Sequence, residues 1–369
     1  ASGAGAWAES AATTAPRAAG ASAAGTAAPR LAAAAASPNR RIVFAKTAQG
    51  YRWELMRGPI PAIGPHQVLV HVRAVSINHD DLSELAPDPH AHLAGLGVGF
   101  DAAGVVVAVG GDVTRVRPGM RVSDSYFPQW LTGPPSARKL AATTRGVFAD
   151  YIALDASAVI PVPKELSDVE AATLPLAAVT AFEATIGQHV LHPGSIVLIE
   201  GTGGVSTFAM QFAAAAGARI IQTSSSDSKL ERTQKIARHG SINYRKNPEW
   251  SRRVLALTHG HGADLIVDVG GKKTLPQAVQ SLAYGGCLAI VGGLTGYGGD
   301  VPALALIGKL AGARGIYVGS RADFLRMNAF IAAHHIRPVV SRVFPFRDFK
   351  QALAYLKSGQ FIGKVVLRL

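Results

Sequence analysis

The stretch from Ile196 to Ser226 constrains this chain more than any other. An apolar run, Ile196-Val197-Leu198-Ile199, runs into Gly201-Thr202-Gly203-Gly204-Val205-Ser206; an alanine-rich segment follows, then a second apolar run from Arg219 to Thr223. Strand, glycine turn, helix and strand in that order make a βαβ unit. Glycines at 201, 203 and 204 allow a tight turn and bring backbone N–H groups, with that of Val205, to the positive end of the helix, where a pyrophosphate binds well. The third glycine of the usual fingerprint is replaced by Ser206, still small enough for close helix–strand packing. A tight βα turn without a ligand is the alternative, and the flanking strands and helix argue against it.

The end of the second strand bears on which dinucleotide would bind. An NAD site places an acidic side chain about 20 residues past the glycines, on the ribose 2′-hydroxyl. Here the chain reads Thr223-Ser224-Ser225-Ser226, then Asp227 and Ser228, then Lys229. Hydroxyls at Ser224 and Ser225 with the Lys229 ammonium suit a 2′-phosphate, and Tyr244 and Arg245 are placed to complete the cradle, so the expected cofactor is NADPH. Alternatively, Ser226 or Asp227 only caps a helix and Lys229 is solvated.

The rest of the 369 residues divides by pattern. Residues 1–38 are Ala, Gly, Ser, Thr and Pro with almost no large apolar side chain, which predicts a disordered extension. Short strands punctuated by Gly and Pro run from Arg41 to Val162 and predict a small β-barrel-like domain. A helix opening at Ser167 and an apolar helical stretch from Leu174-Pro175 to His189 lead into the glycine turn. Beyond it, strands (264–268, 287–291, 316–318) alternate with helices (275–282, 303–311), the pattern of a doubly wound parallel sheet. The tail, with strands at 339–344 and 363–369, is expected to return to the first domain.

One cysteine, Cys287, excludes an intrachain disulfide and a cysteine-built zinc site and fits a reducing, cytoplasmic setting. No apolar run reaches the ~18 residues of a membrane span. The formal charge of +13 is dispersed, in pairs such as Arg252-Arg253 and Lys272-Lys273, which fits attraction of anionic cofactors better than a nucleic-acid partner.

Taken together, Ser76-Ile77-Asn78-His79-Asp80-Asp81-Leu82, then Gly99-Phe100-Asp101-Ala102-Ala103-Gly104-Val105-Val106, Leu174-Pro175 with Thr180-Ala181, the glycine turn, and Gly363-Lys364-Val365-Val366-Leu367 resemble the medium-chain dehydrogenase/reductase superfamily, in its zinc-independent, quinone-oxidoreductase-like branch. The likeness spans about Arg40 to Leu369. It implies an α/β protein with a GroES-like β-rich catalytic domain (39–165 and 319–369) and a Rossmann doubly wound domain binding NADP (166–318). It also implies a cofactor in the cleft between them and a homodimer joined through the sheet edge at Ile316 to Val318.

The departures from the family pattern bear on chemistry. Where zinc-dependent members supply a cysteine this chain has Asn78, and Phe100 stands at the histidine of their Gly-His-Glu motif. With both absent, zinc would have too few ligands. His90, His92, His259 and His261 fall in loops and are read as solvated or locally bonded rather than as ligands. Without a metal, hydride transfer suits acceptors that spread the resulting charge, α,β-unsaturated carbonyls and quinones. By position, Asn78 would hold substrate oxygen or nicotinamide ribose, Asp81 would orient that loop, and Thr180 would pack on the nicotinamide. Val269 and Gly292-Gly293-Leu294 would line the cofactor at strand ends. The proton donor is left among His79, His90, His92, Tyr126 and water. Tyr126, Phe127 and Trp130 either line an aromatic pocket or pack onto the barrel. Two other readings stay open: an alcohol or aldehyde dehydrogenase-type enzyme, and an NADPH-binding redox sensor without turnover.

Overall fold

The computed structural model describes residues 38–85, 92–188, 191–296 and 298–369. His90, all but the last residue of the alanine-rich extension, and the end of the helical stretch at His189 lie outside them.

The β-rich region is organised around one long strand. β1 (Asn39–Thr47) and β2 (Gly50–Gly58) form a hairpin, with Asn39 opposite Gly58. β3 (Gln67–Ile77) pairs antiparallel with β4 (Ala102–Val109), with β6 (Tyr151–Asp155) and with the last strand, β15 (Lys364–Arg368). β5 (Arg121–Ser123) and β7 (Ile160–Pro161) extend the sheet on one side, and β14 (Val340–Pro345) extends it beyond β15. β3 is buried along most of its length because both faces are covered. One face meets the core of Trp53, Phe148, Phe344 and Phe346; on the other, Ala74 and Ala103 are small enough to admit Ala171 and Ala172. Those alanines close the short helix Asp168–Ala171, opened by a capping box: Ser167 Oγ accepts from Glu170 N at 3.2 Å and Glu170 Oε2 accepts from Ser167 N at 2.8 Å.

The parallel sheet holds β8 (Ile196–Glu200), β9 (Arg219–Ser224), β10 (Gly240–Asn243), β11 (Ala263–Asp268), β12 (Leu282–Ile290) and β13 (Gly312–Gly315). Their order is β10-β9-β8-β11-β12-β13, so the winding reverses between β8 and β11, where open α/β sheets bind ligands. β8 is buried throughout, as a central strand covered by helices on both faces must be. The helix Gly204–Ala215 packs Phe212 against Phe182, ring centroids 5.7 Å apart, and Phe208 stacks on Phe212 at 5.9 Å. Each such ring contributes about 1.5–3 kcal/mol by leaving water.

Two elements differ from the sequence expectation. The edge strand is Gly312–Gly315 rather than 316–318: Ile316 N still donates to Ile290 O, but Val318 has φ +55°, which a strand cannot accommodate. The helical stretch before the turn is not uniform. π-type turns at Leu174–Ala178 and Glu183–Gly187 flank an α turn at Val179–Phe182. The Thr180 and Thr185 hydroxyls donate to the carbonyls of Leu176 and Ala181, each at 2.7 Å, competing with the main-chain ladder.

Among the described residues no helix is long and apolar enough to cross a membrane.

Candidate active site

At the winding reversal, Gly201 has φ +74°, open to glycine without strain, and a Cβ there would sit 3.4 Å from Ser206 Oγ. That contact explains the serine at the third fingerprint position. Its hydroxyl reaches back to donate to Glu200 O at 2.7 Å, closing the turn from below. Gly203 is the N-cap of the following helix, offers no capping side chain, and faces open space. No side chain caps the first N–H groups of that helix, Val205 among them, and a helix start of this kind suits an anion. Val269 lies beside Gly201 across the reversal, and Leu294 N donates to Val269 O at 3.2 Å, bringing Gly292, Gly293 and Leu294 to the same sheet edge.

At the end of β9, Ser224 is buried and Ser225 half-buried; Ser224 O accepts from Tyr244 N at 3.0 Å, so Tyr244 and the serines are neighbours. Lys229 is not simply solvated. Its ammonium donates to Gly359 O and lies 5.9 Å from the Phe361 ring centroid. Asp227 is held by Asn243 Nδ2 at 2.8 Å and Lys246 Nζ at 2.7 Å, which keep its carboxylate below the ordinary range. Arg245 is exposed, its N–H on Asn243 Oδ1 at 3.0 Å.

Asn78 precedes the short helix His79–Ser83, and its N–H donates to Asp81 Oδ2 at 2.7 Å. Its side chain sits in a closed polar cluster. Nδ2 donates to Asp101 Oδ2 at 2.8 Å, Oδ1 accepts from Lys364 Nζ, and Lys364 Nζ lies 3.3 Å from Asp101 Oδ2. Asp101 Oδ1 takes Leu176 N at 3.1 Å. Lys364 is 3% exposed and Asp101 0%, so this is a buried ion pair with its remaining lone pairs satisfied. Burial pushes the Asp101 carboxyl up, with the Lys364 charge opposing it. Burial also drives Asp81 and Asp124 well above the ordinary carboxylate range.

The cluster is tied to the glycine turn by one residue step. Gly363 N donates to Thr202 O at 2.9 Å, and Gly203 and Gly363 form a parallel bridge. The next residue is Lys364.

Of the other sequence candidates, His79 is exposed, and Thr180 is buried with its hydroxyl on Leu176 O. His92, His259 and His261 are exposed, and His261 pairs with Asp264 at 2.9 Å. Phe100, Tyr126, Phe127 and Trp130 form one buried aromatic group. Tyr126 Oη lies 3.4 Å from Tyr317 Oη, Phe127 and Tyr317 meet edge-on at 5.1 Å, and Arg145 lies 5.1 Å over the Phe100 ring.

Comparison with known proteins places this arrangement. Residues 64–164 match the model of the alcohol dehydrogenase GroES-like domain and residues 204–333 that of the zinc-binding dehydrogenase. A zinc-type alcohol dehydrogenase-like protein of Schizosaccharomyces pombe is 42% identical over 320 residues, 83% of this chain and 92% of that one. The chain belongs to the medium-chain dehydrogenase/reductase superfamily of oxidoreductases. Another medium-chain relative, the 2-haloacrylate reductase of a Burkholderia species, is 29% identical over 85% of this chain and 94% of its own. The solved structure of a Sinorhizobium meliloti 1021 protein assigned to the alcohol dehydrogenases aligns with TM-score 0.84 at 34% identity, covering 90% of this chain and 99% of that one.

The dehydrogenase family name raises the question of zinc, and the donor set here does not fit it. Asn78 offers an amide oxygen, Phe100 offers nothing, and Asp101 is already paired with an ammonium that would repel a dication. Cys287 lies away in β12, and among the described residues no three His, Cys, Asp or Glu side chains group as metal ligands. Sequence reasoning found Asn78 and Asp81 but assigned no role to Asp101 or Lys364. The available signal was a lone lysine opening an otherwise apolar strand, Lys364-Val365-Val366-Leu367, since a lysine there needs a buried partner.

Proposed function

We propose that this oxidoreductase is a zinc-independent, NADPH-dependent reductase of quinones or α,β-unsaturated carbonyls. The observation that carries the reading is the Lys364–Asn78–Asp101 cluster, a site whose cation is an ammonium. A nicotinamide dinucleotide would supply the hydride when bound.

The residues then divide the work. The turn at Gly201, Gly203, Gly204 and Val205 takes the pyrophosphate on backbone N–H groups. Val269, Gly292, Gly293, Leu294 and Thr180 give the nicotinamide half its walls. Ser224, Ser225, Lys229 and Tyr244 accept the 2′-phosphate, and no carboxylate stands at Ser224 to reject it. Asn78 holds the acceptor oxygen through Nδ2, and Asp81 keeps the Asn78 backbone fixed. Conjugate reduction leaves a delocalised enolate or hydroquinone anion, which fixed hydrogen bonds can stabilise without a Lewis acid. Phe100, Tyr126, Phe127 and Tyr317 favour a flat, conjugated acceptor. Burial pushes the Tyr126 hydroxyl well above its ordinary range, which suits it to donating a hydrogen bond; the proton itself is supplied by His79, exposed beside Asn78, or by water. The relative that reduces 2-haloacrylate, an activated alkene, supports this class of acceptor.

A second copy is the proposed partner. β13 ends the parallel sheet, and beside it the helix Ala303–Lys309 exposes Leu304 and Ile307, with Leu310 just after it. Such an apolar edge fits an isologous dimer.

The test is NADPH oxidation over a panel of quinones, enones and simple aldehydes. Turnover of the conjugated acceptors in metal-free protein is expected. Turnover confined to the simple aldehydes would give the alcohol dehydrogenase reading instead, and saturable binding without turnover would leave a sensor.

A further inference from the structure

We infer that Lys364 is a positioning residue: its ammonium is the resident cation of the site and fixes the Asn78 amide with Nδ2 as the edge offered to an acceptor oxygen. The inference rests on the reading above, in which Asn78 holds that oxygen, and adds what makes Asn78 competent.

The chemistry of the three groups leaves one arrangement. An ammonium has only donors and an ionised carboxylate only acceptors, so Oδ1 of Asn78 must face Lys364 and Nδ2 must face Asp101, as the structure has them. One Nδ2 hydrogen is used by Asp101 and the second remains. A positive charge on Oδ1 draws electron density through the amide, so that remaining N–H is a stronger donor to developing negative charge than an isolated asparagine would supply. Each corner is anchored in turn: Asp101 by Leu176 N at 3.1 Å, Asn78 by Asp81 at 2.7 Å, and Lys364 by a strand whose next three residues are fully buried. The route of the lysine side chain is also built in. A Cβ on Gly204 would come within 2.5 Å of Lys364 Cδ and 3.3 Å of Ala177 Cβ. The glycine that opens the anion-binding helix is therefore also the one that admits the lysine. Its neighbour Gly363 holds Thr202 O at 2.9 Å, so the turn and the amide are set by consecutive residues.

The rival role for Lys364, so close to the turn, is a direct contact with a cofactor phosphate. Lys364→Met, Asn78→Ala and the double variant separate the two in the full chain, with NADPH affinity read by fluorescence titration and kcat on a 1,4-naphthoquinone. Lys364→Met is expected to lower kcat about 30- to 100-fold while leaving the NADPH Kd within about twofold, and to have no further effect on kcat in the Asn78→Ala background. A Kd raised tenfold or more with kcat retained at saturation, or losses that multiply in the double variant, would overturn the inference. A crystal structure of Lys364→Met gives a readout independent of turnover: held by Asp101 alone, the Asn78 side chain is expected to occupy more than one rotamer, and a single unchanged position would count against the inference. If the parent protein reduces no quinone or enone, the proposed activity fails, and the crystal structure still decides the role of Lys364.

Discussion

The two ends of the site are built by different means. The glycine turn is made of backbone from residues within six positions of one another, closed by one side-chain bond, from the Ser206 hydroxyl to Glu200 O. The polar cluster is made of side chains from Asn78, Asp101 and Lys364, whose members lie 23, 263 and 286 residues apart. A backbone site tolerates change at most side chains and fails at glycines. A side-chain site depends on three long-range placements at once, so removing any corner leaves a buried charge or amide without its partner.

The sharpest way to break that comparison is at Asp101. Asp101→Ala strands the Lys364 ammonium in a buried site, and removing one partner of such a pair typically costs about 3–5 kcal/mol. Urea unfolding of the variant should show a loss of that order. A loss under about 1 kcal/mol would mean that the ion pair behaves as if solvent-exposed.

Next in size is a pair of neighbouring glycines. Gly204→Ala must displace Lys364 and should depress kcat, whereas Gly203→Ala meets open space within the protein and should chiefly weaken NADPH binding. Steady-state kinetics with NADPH varied would separate them, and identical profiles would remove the distinction between the two ends.

At the end of β9, Ser224→Asp should cut the preference for NADPH over NADH by about tenfold or more, by setting a carboxylate against the 2′-phosphate. Comparing kcat/KM for the two coenzymes checks it, and an unchanged ratio would show that Lys229 and Tyr244 select without the serines.

The smallest effect is one of pH. The Asp124 carboxyl is held well above its ordinary value by burial and by Asp101, while its Oδ1 accepts Ala102 N at 2.6 Å. In the window above about pH 4 the folded chain keeps a proton that the unfolded chain has released, so stability falls as pH rises toward the folded pKa. Asp124→Asn removes that proton and keeps the acceptor. Its melting temperature should decline less between pH 5 and pH 9 than that of the parent, and parallel curves would mean that Asp124 does not carry the slope.

The same contrast explains what was legible in the sequence. Ile196 to Thr223 announces itself because strand, turn and helix are local, and the doubly wound order follows from alternation along the chain. The edge strand was misplaced because Gly312-Ala313-Arg314-Gly315 carries no β-branched residue, while Ile316 to Val318 carries two yet turns away at Val318. Asn78 was found through its local motif. The lone lysine opening an apolar strand signals a buried partner, but which partner is not written near position 364, because the pairing of β15 with β3 that delivers it beside residue 78 is long-range.

In the proposed function an ammonium, and not a metal, is the cation of this site. Metal content measured by mass spectrometry on the purified protein, alongside its quinone reduction before and after chelator treatment, tests it most directly. Full NADPH-dependent reduction with far less than one zinc per chain, and no loss on chelation, is expected. Stoichiometric zinc whose removal abolishes turnover would contradict it.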